Sequence, residues 1–248
     1  MTLPSPAPGP SAPAAPPGTD LGADVGAAAR FAGRALLRSP LALLGAGAVY
    51  SVLLVLVVVV GFVAALLLAI ALVEAGPSTG GELTPGQFVA VLATSFGVVL
   101  VALPVGVLWQ AATARAGSVI LDGGRPSVGE ALIGRGRVLL TALLVLALTI
   151  LGTILLYLPG LVAAVLLMYA VPASARGASP LAAVKESVSL ARSHLGTTVV
   201  GTVLVMAASY VSGIVVIGFI AVVPLTVLFQ MALYERLSAR EVPEPAQA

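Results

Sequence analysis

The chain has no cysteine, a single histidine, a single tryptophan and only 9% charged residues among its 248. Without cysteine there can be no disulfide, thiolate metal site or thiol nucleophile. One histidine cannot build a His-Glu-x-x-His or similar metal-ligand spacing, and no paired intramembrane aspartates are present, so no metal site or cofactor is expected. Soluble domains carry about 25% charged residues. This chain instead has 59% hydrophobic residues.

The charge it does have is concentrated. The cations fall in four clusters: Arg30, Arg34 and Arg38; Arg115, Arg125, Arg135 and Arg137; Arg176, Lys185 and Arg192; and Arg236 and Arg240. Between them, residues 39–73, 83–114, 138–175 and 193–234 contain no Asp, Glu, Lys or Arg. Cationic loops separated by apolar runs are the pattern of a polytopic membrane protein whose basic loops share one side. The net charge of +2 is spread over these clusters and forms no continuous stripe, which argues against a nucleic-acid partner. The bias of eleven Arg to one Lys, with abundant Ala, Gly, Val and Pro, points to a GC-rich prokaryotic genome.

About 20 helical residues cross a bilayer core of about 30 Å. Residues 138–175, as one helix, would reach about 57 Å, so they must fold back. Pro159-Gly160 is the expected turn. The run 193–234 needs a second hairpin, with its turn expected within Ser212–Gly218. Residues 41–73 could be one long helix or a span with an interfacial entry; keeping the basic clusters on one side requires one span before the acidic loop Glu74–Gly86 and one after it. Thr84-Pro85-Gly86-Gln87 reads as a capping box opening that second span. The expectation is an all-α protein of six spans in three hairpins, in the cell membrane, with both termini cytoplasmic.

Each hairpin follows a short polar-striped segment read as an interfacial amphipathic helix. Arg30, Arg34 and Arg38 recur every fourth residue, with Phe31, Ala35 and Leu36 on other faces. Ser127-Val128-Gly129-Glu130 is a capping box leading into the second. Ser179 and Pro180 open the third, with Leu181, Val184 and Val188 on one face and Lys185, Ser189 and Arg192 on the other. Residues 1–22, rich in proline and alanine and lacking a signal peptide's apolar run, are expected to be an extended cytoplasmic tail. Residues 23–238 form the membrane domain, and 239–248 a second tail. The first tail is either inert or a docking site for a proline-binding partner.

Two stretches carry a family resemblance. ASPLAAVKESVSLARSHLGTTVVGTVL and PLTVLFQMALYERLSAR, the latter ending in Tyr234, Glu235 and Arg236, resemble motifs of the membrane domain attached to some glycerophosphoryl diester phosphodiesterases and found in related stand-alone prokaryotic membrane proteins. No phosphodiesterase domain is expected alongside these motifs. The resemblance therefore implies a membrane-domain fold, and no hydrolase activity is carried over.

The candidate functional residues are few. Arg30, Arg34, Arg38, Lys185, Arg192 and Arg236 are expected to contact anionic lipid headgroups. Gln110 and Gln230 either line an intramembrane polar path or hydrogen-bond between helices. His194, beside Ser193, lacks the orienting acid that a catalytic pair needs and reads as a headgroup contact. Glu74 reads as a span boundary, with intramembrane ionisation the alternative. Pro104, Pro172 and Pro224 are expected to interrupt helices. Ala102/Gly106 and Ser209/Gly213 suit close helix packing. No enzyme is expected. The expected role is that of a scaffold, accessory or lipid-organising module, with a small permease for lipid or hydrophobic solute as the alternative. The bilayer is the implied partner; a membrane or cytoplasmic protein partner and a homo-oligomer stay open.

Overall fold

The computed structural model describes residues 15–75, 84–214 and 216–243. Among these residues there is no strand. The helices run α1 (Leu21–Arg38), α2 (Pro40–Ala75), α3 (Pro85–Leu121), α4 (Val128–Leu132), α5 (Gly136–Leu155), α6 (Tyr157–Leu166), α7 (Ala170–Ala175), α8 (Pro180–Ser193), α9 (Leu195–Ile214) and α10 (Val216–Leu237). Six of the resulting stretches are long and apolar enough to cross a bilayer. The protein is an all-α, multi-pass membrane protein.

The local reasons are in the sequence. Asp20 caps α1 by accepting from the Ala23 N–H at 2.6 Å. Thr84 and Gln87 form the predicted capping box of α3, and Ser127 and Glu130 that of α4. Helix α8 starts with Pro180 after Ser179, although the Ser179 hydroxyl makes no capping bond. Helix α2 is continuous over 36 residues, which settles the ambiguity over its entry. The predicted α4–α5 amphipathic segment is shorter than expected, since the chain turns extended at Ile133 and α5 starts only at Gly136.

The turn between the third and fourth spans lies earlier than Pro159-Gly160. The chain is extended only at Leu156, and α6 begins at Tyr157 with Pro159 in its first turn. Proline costs nothing there, because first-turn N–H groups have no helical acceptor. Gly160 serves the packing instead: a Cβ there would collide with Thr153 of α5. Helix α9 ends at Ile214 and α10 starts at Val216, inside the expected window, and position 215 lies outside the described residues.

The prolines also differ from expectation. Helices α3 and α10 pass through Pro104 and Pro224 without a break. The fourth span is broken at Leu167–Tyr169, and Pro172 sits in the first turn of the short α7 that follows. Residues 1–14 and 244–248 of the expected tails lie outside the described residues. Pro16–Thr19 form a turn, however, and α1 already starts at Leu21, so the first boundary lies earlier than 22.

The best-packed core is at the basic end of the bundle. It joins Ala28, Phe31 and Ala35 of α1 to the last turns of α3, to Val171 and Ala173 of α7, to Ala183 and Ala191 of α8, and to Val227–Leu237 of α10. The opposite halves of α2 and α3 are largely uncovered: Val52, Leu56, Val60 and Leu67 of α2 and Phe96 and Val101 of α3 are more than half exposed. In hydrocarbon such faces need no protein partner, because lipid tails are as apolar as the side chains. The interfacial layer is what locks the three hairpins together.

Candidate functional site

Three consecutive residues at the end of α10 each reach a different element. The Tyr234 hydroxyl donates to the Glu186 carboxylate of α8. Glu235, 2% exposed, is approached by Arg176 Nε from the end of α7 at 2.6 Å and by Arg240 at 3.5 Å. Arg236 Nε lies 2.6 Å from Asp24 of α1. Successive residues on a helix point about 100° apart. One turn can therefore fasten three neighbours at once.

The network extends further. Arg176 Nη1 donates to Asp122, just past α3, at 2.6 Å. Partial burial opposes the Arg176 charge, but the bond to Asp122 and the nearby Glu235 more than offset this, so its pKa is raised and the cation is held. Its Nε–H is not aimed along the short axis to Glu235 Oε1, so that contact is an ion pair by distance without a hydrogen bond. Asp24 also accepts the Gly18 N–H at 3.1 Å, and Arg236 Nη2 donates to the Ala15 carbonyl at 3.3 Å.

A second cluster repairs the broken fourth span. The Ser187 hydroxyl of α8 accepts the Tyr169 N–H at 3.0 Å and donates to the Leu166 carbonyl at 2.7 Å. Two backbone groups freed by the break are thereby satisfied. Ser187 is flanked along α8 by Ala183 and Ala191, all three fully buried. The Tyr169 hydroxyl bonds Thr198 of α9 at 3.1 Å, and Thr141 of α5 bonds Ser174 of α7 at 2.9 Å. Near the other hairpin, Tyr50 of α2 stacks on Trp109 of α3 at 5.8 Å and donates to the Leu132 carbonyl at the end of α4.

This changes the reading of α8. Its protein-facing side is the Ala183–Ser187–Ala191 row, while Leu181 is 69% exposed and Val184 and Val188 are half-buried. The small residues win because only they let α8 approach the break closely enough for Ser187 to bond both sides of it. Leu181, Val184 and Val188 then flank that row, next to the exposed Lys185 and Arg192.

The predicted headgroup cations divide. Arg30, Arg34, Arg38, Lys185 and Arg192 are exposed on the basic end. Arg236 is half-buried and paired with the buried Asp24, because an acid placed on the apolar stripe of α1 must be neutralised. Arg30, Phe31, Arg34, Arg236 and Glu241 line a cleft of about 300 Å³ between α1 and the end of the chain. His194 ends α8 and stands beside Gly18. Glu74 is exposed near the end of α2. Among the described residues, no group of three or more His, Asp or Glu could hold a metal ion.

Gln110 lines a groove of about 420 Å³ between α2, α3 and α5, together with Leu54, Ala102, Gly106, Ala142 and Thr149. Ala102 and Gly106, expected to mediate close helix packing, instead open this groove, and a Cβ at Gly106 would meet nothing within 4 Å. Ser209 is exposed and bonds its own helix at Val205, and the side of Gly213 lies outside the described residues. Gln230, half-buried on α10, is not among the residues that line this groove.

The sequence reading missed Asp24 and Glu235 as buried acids. Asp24 had a legible signal, since it falls in helical register with Ala28, Phe31, Ala32 and Ala35.

No protein-family model matches the chain. No solved structure matches it either. The chain is similar to uncharacterised proteins of Mycobacterium bovis and Mycobacterium tuberculosis, 32% identical over 111 residues that cover 44% of this chain. It spans about a third of the length of these curated relatives, 34% in each case.

Proposed function

We propose that this is a non-enzymatic protein of the cytoplasmic membrane, with both termini inside, that acts as a scaffold organising anionic lipid at the inner leaflet. The observation that carries this reading is the division of charge at the basic end. Asp24, Glu186 and Glu235 are consumed by internal contacts, while Arg30, Arg38, Lys185 and Arg192 face outward. Each cation near an anionic leaflet contributes on the order of 1 kcal/mol. The resemblance of the α8 and α10 motifs to phosphodiesterase-associated membrane domains supports the same reading. In that light, the Tyr-Glu-Arg sequence is a structural bolt.

Two experiments test it. Impermeant thiol reagents should label Ser78→Cys in intact cells but leave Ser127→Cys and Ser179→Cys unlabelled until the cells are opened. Labelling of Ser179→Cys in intact cells would overturn the orientation. In vesicles of mixed zwitterionic and anionic lipid, spin-labelled phosphatidylglycerol should be enriched around the protein. Replacing Arg30, Arg38, Lys185 and Arg192 with Gln should abolish that enrichment, and an unchanged enrichment would remove the scaffold reading. The groove beside Gln110 favours a second reading, a small permease for lipid or hydrophobic solute, which flux across reconstituted vesicles would reveal.

A further inference from the structure

The groove between α2, α3 and α5 combines features that together specify an occupant. It lies within spanning segments, so its surroundings are hydrocarbon and its walls are almost wholly apolar. Two polar side chains nevertheless face it, Gln110 and Thr149. No described residue hydrogen-bonds to the Gln110 amide or to the Thr149 hydroxyl. Gln110 is only partly buried, so its amide stays open to the groove, where a ligand that brings a hydrogen-bond acceptor can meet it.

The depth of Gln110 indicates which ligand. A Cβ at Gly134 would touch Ala111, so Gln110 lies level with the start of α5, at the basic end of the groove. Exposed Arg135 and Arg137 stand at that level, and Arg115, about 7 Å further along α3, is tied to the Ile133 carbonyl at 3.0 Å. Thr149 is thirteen residues beyond Gly136 on α5, which places it about 20 Å deeper into the bilayer. That exceeds half of the hydrocarbon core of about 30 Å. The volume of about 420 Å³ falls within the range of small-molecule sites. From outside to inside, the groove offers an amide donor near the level of the Arg135 and Arg137 cations outside it, and then a long apolar channel.

We infer that this groove binds one diacyl phospholipid of the basic-side leaflet, with an acyl chain along α3 and α5 and an ester carbonyl accepting a hydrogen bond from the Gln110 amide. This rests on the lipid-organising reading and deepens it from a general headgroup preference to a single built site. Ala102, Gly106 and Ala142 are small because the chain needs the room that larger side chains would fill.

The test uses the full chain in mild detergent, with native mass spectrometry during titration of dioleoyl phosphatidylglycerol and of its diether analogue. Wild-type protein should retain one lipid, with the diester preferred about fivefold, the factor for one neutral hydrogen bond. Gly106→Leu, filling the groove, should weaken retention at least about tenfold. Gly97→Leu is the control: it lies on the opposite face of α3, and its Cβ also meets nothing within 4 Å. It should bind as wild type does. Gln110→Leu should keep the lipid but lose the ester preference. Equal retention by Gly106→Leu and wild type would overturn the site. Equal binding of diester and diether by wild type would overturn the role of Gln110, and displacement by inorganic phosphate would place recognition in the headgroup alone and overturn the inference. Detected flux would replace the scaffold with a permease while leaving these binding outcomes unchanged, and loss of anionic enrichment with retained groove binding would remove only the broader reading.

Discussion

Replacing Asp24 with Asn removes one charge from the buried pair with Arg236 while keeping the side chain's size and its acceptor for the Gly18 N–H. Asp24 is 1% exposed, and the Arg236 side chain 12%. Removing one partner of a buried ion pair costs about 3–5 kcal/mol, because the other charge stays desolvated without compensation. Arg236 keeps some solvent access and a bond to the Ala15 carbonyl at 3.3 Å, so the low end, about 3 kcal/mol, is expected. Arg236→Met should cost a similar amount. The double variant should cost less than either single change, because no charge is then stranded, and a coupling of about 2 kcal/mol should appear in the cycle. The assay is reversible unfolding in mixed micelles by SDS titration, followed by the fluorescence of Trp109. That residue is the single tryptophan, and it is buried on α3 away from the mutated pair. Additive effects within about 0.5 kcal/mol would refute the reasoning, because they would mean that the two charges do not depend on each other.

Ser187→Ala should cost about 1–3 kcal/mol, since it strands the Tyr169 N–H and the Leu166 carbonyl at the break in the fourth span; the same SDS titration reads it. Gly160→Val should destabilise strongly by forcing α6 away from Thr153, and protease sensitivity of the α5–α6 hairpin should rise. Spin labels at Val184 and Val188 should report a hydrocarbon environment, and labels at Lys185 and Arg192 a headgroup or aqueous one; uniform exposure around α8 would contradict an interfacial helix. The purified protein should not hydrolyse glycerophosphodiesters with or without divalent metal. Turnover that copurifies with the protein and is lost on replacing Glu186, Glu235 or His194 would contradict this.

The span count, the capping boxes at Thr84 and Ser127 and the start of α8 at Pro180 were legible because they depend on neighbours in sequence. Charge-free runs must sit in hydrocarbon, and a side chain that caps a helix acts within three residues. The turn at Leu156 was misplaced because proline is a breaker inside a helix but harmless in its first turn, and only the partner helix showed which applied. The same limit affected charge and small residues. Position along the chain could not show that Arg236 pairs with the buried Asp24 while Lys185 is exposed, nor that Gly106 opens a groove while Ala183 and Ala191 close a contact. Burial and pairing depend on which elements meet, and these partners lie on different elements well apart in the chain: Tyr234 with Glu186, Glu235 with Arg176, and Arg236 with Asp24. The sequence by itself determined that this chain lies in a membrane as six helices. Only tertiary packing decided that its core gathers at the basic end and that Gln110 is left facing an apolar groove, because both follow from contacts between segments whose separation in the chain carries no local signal.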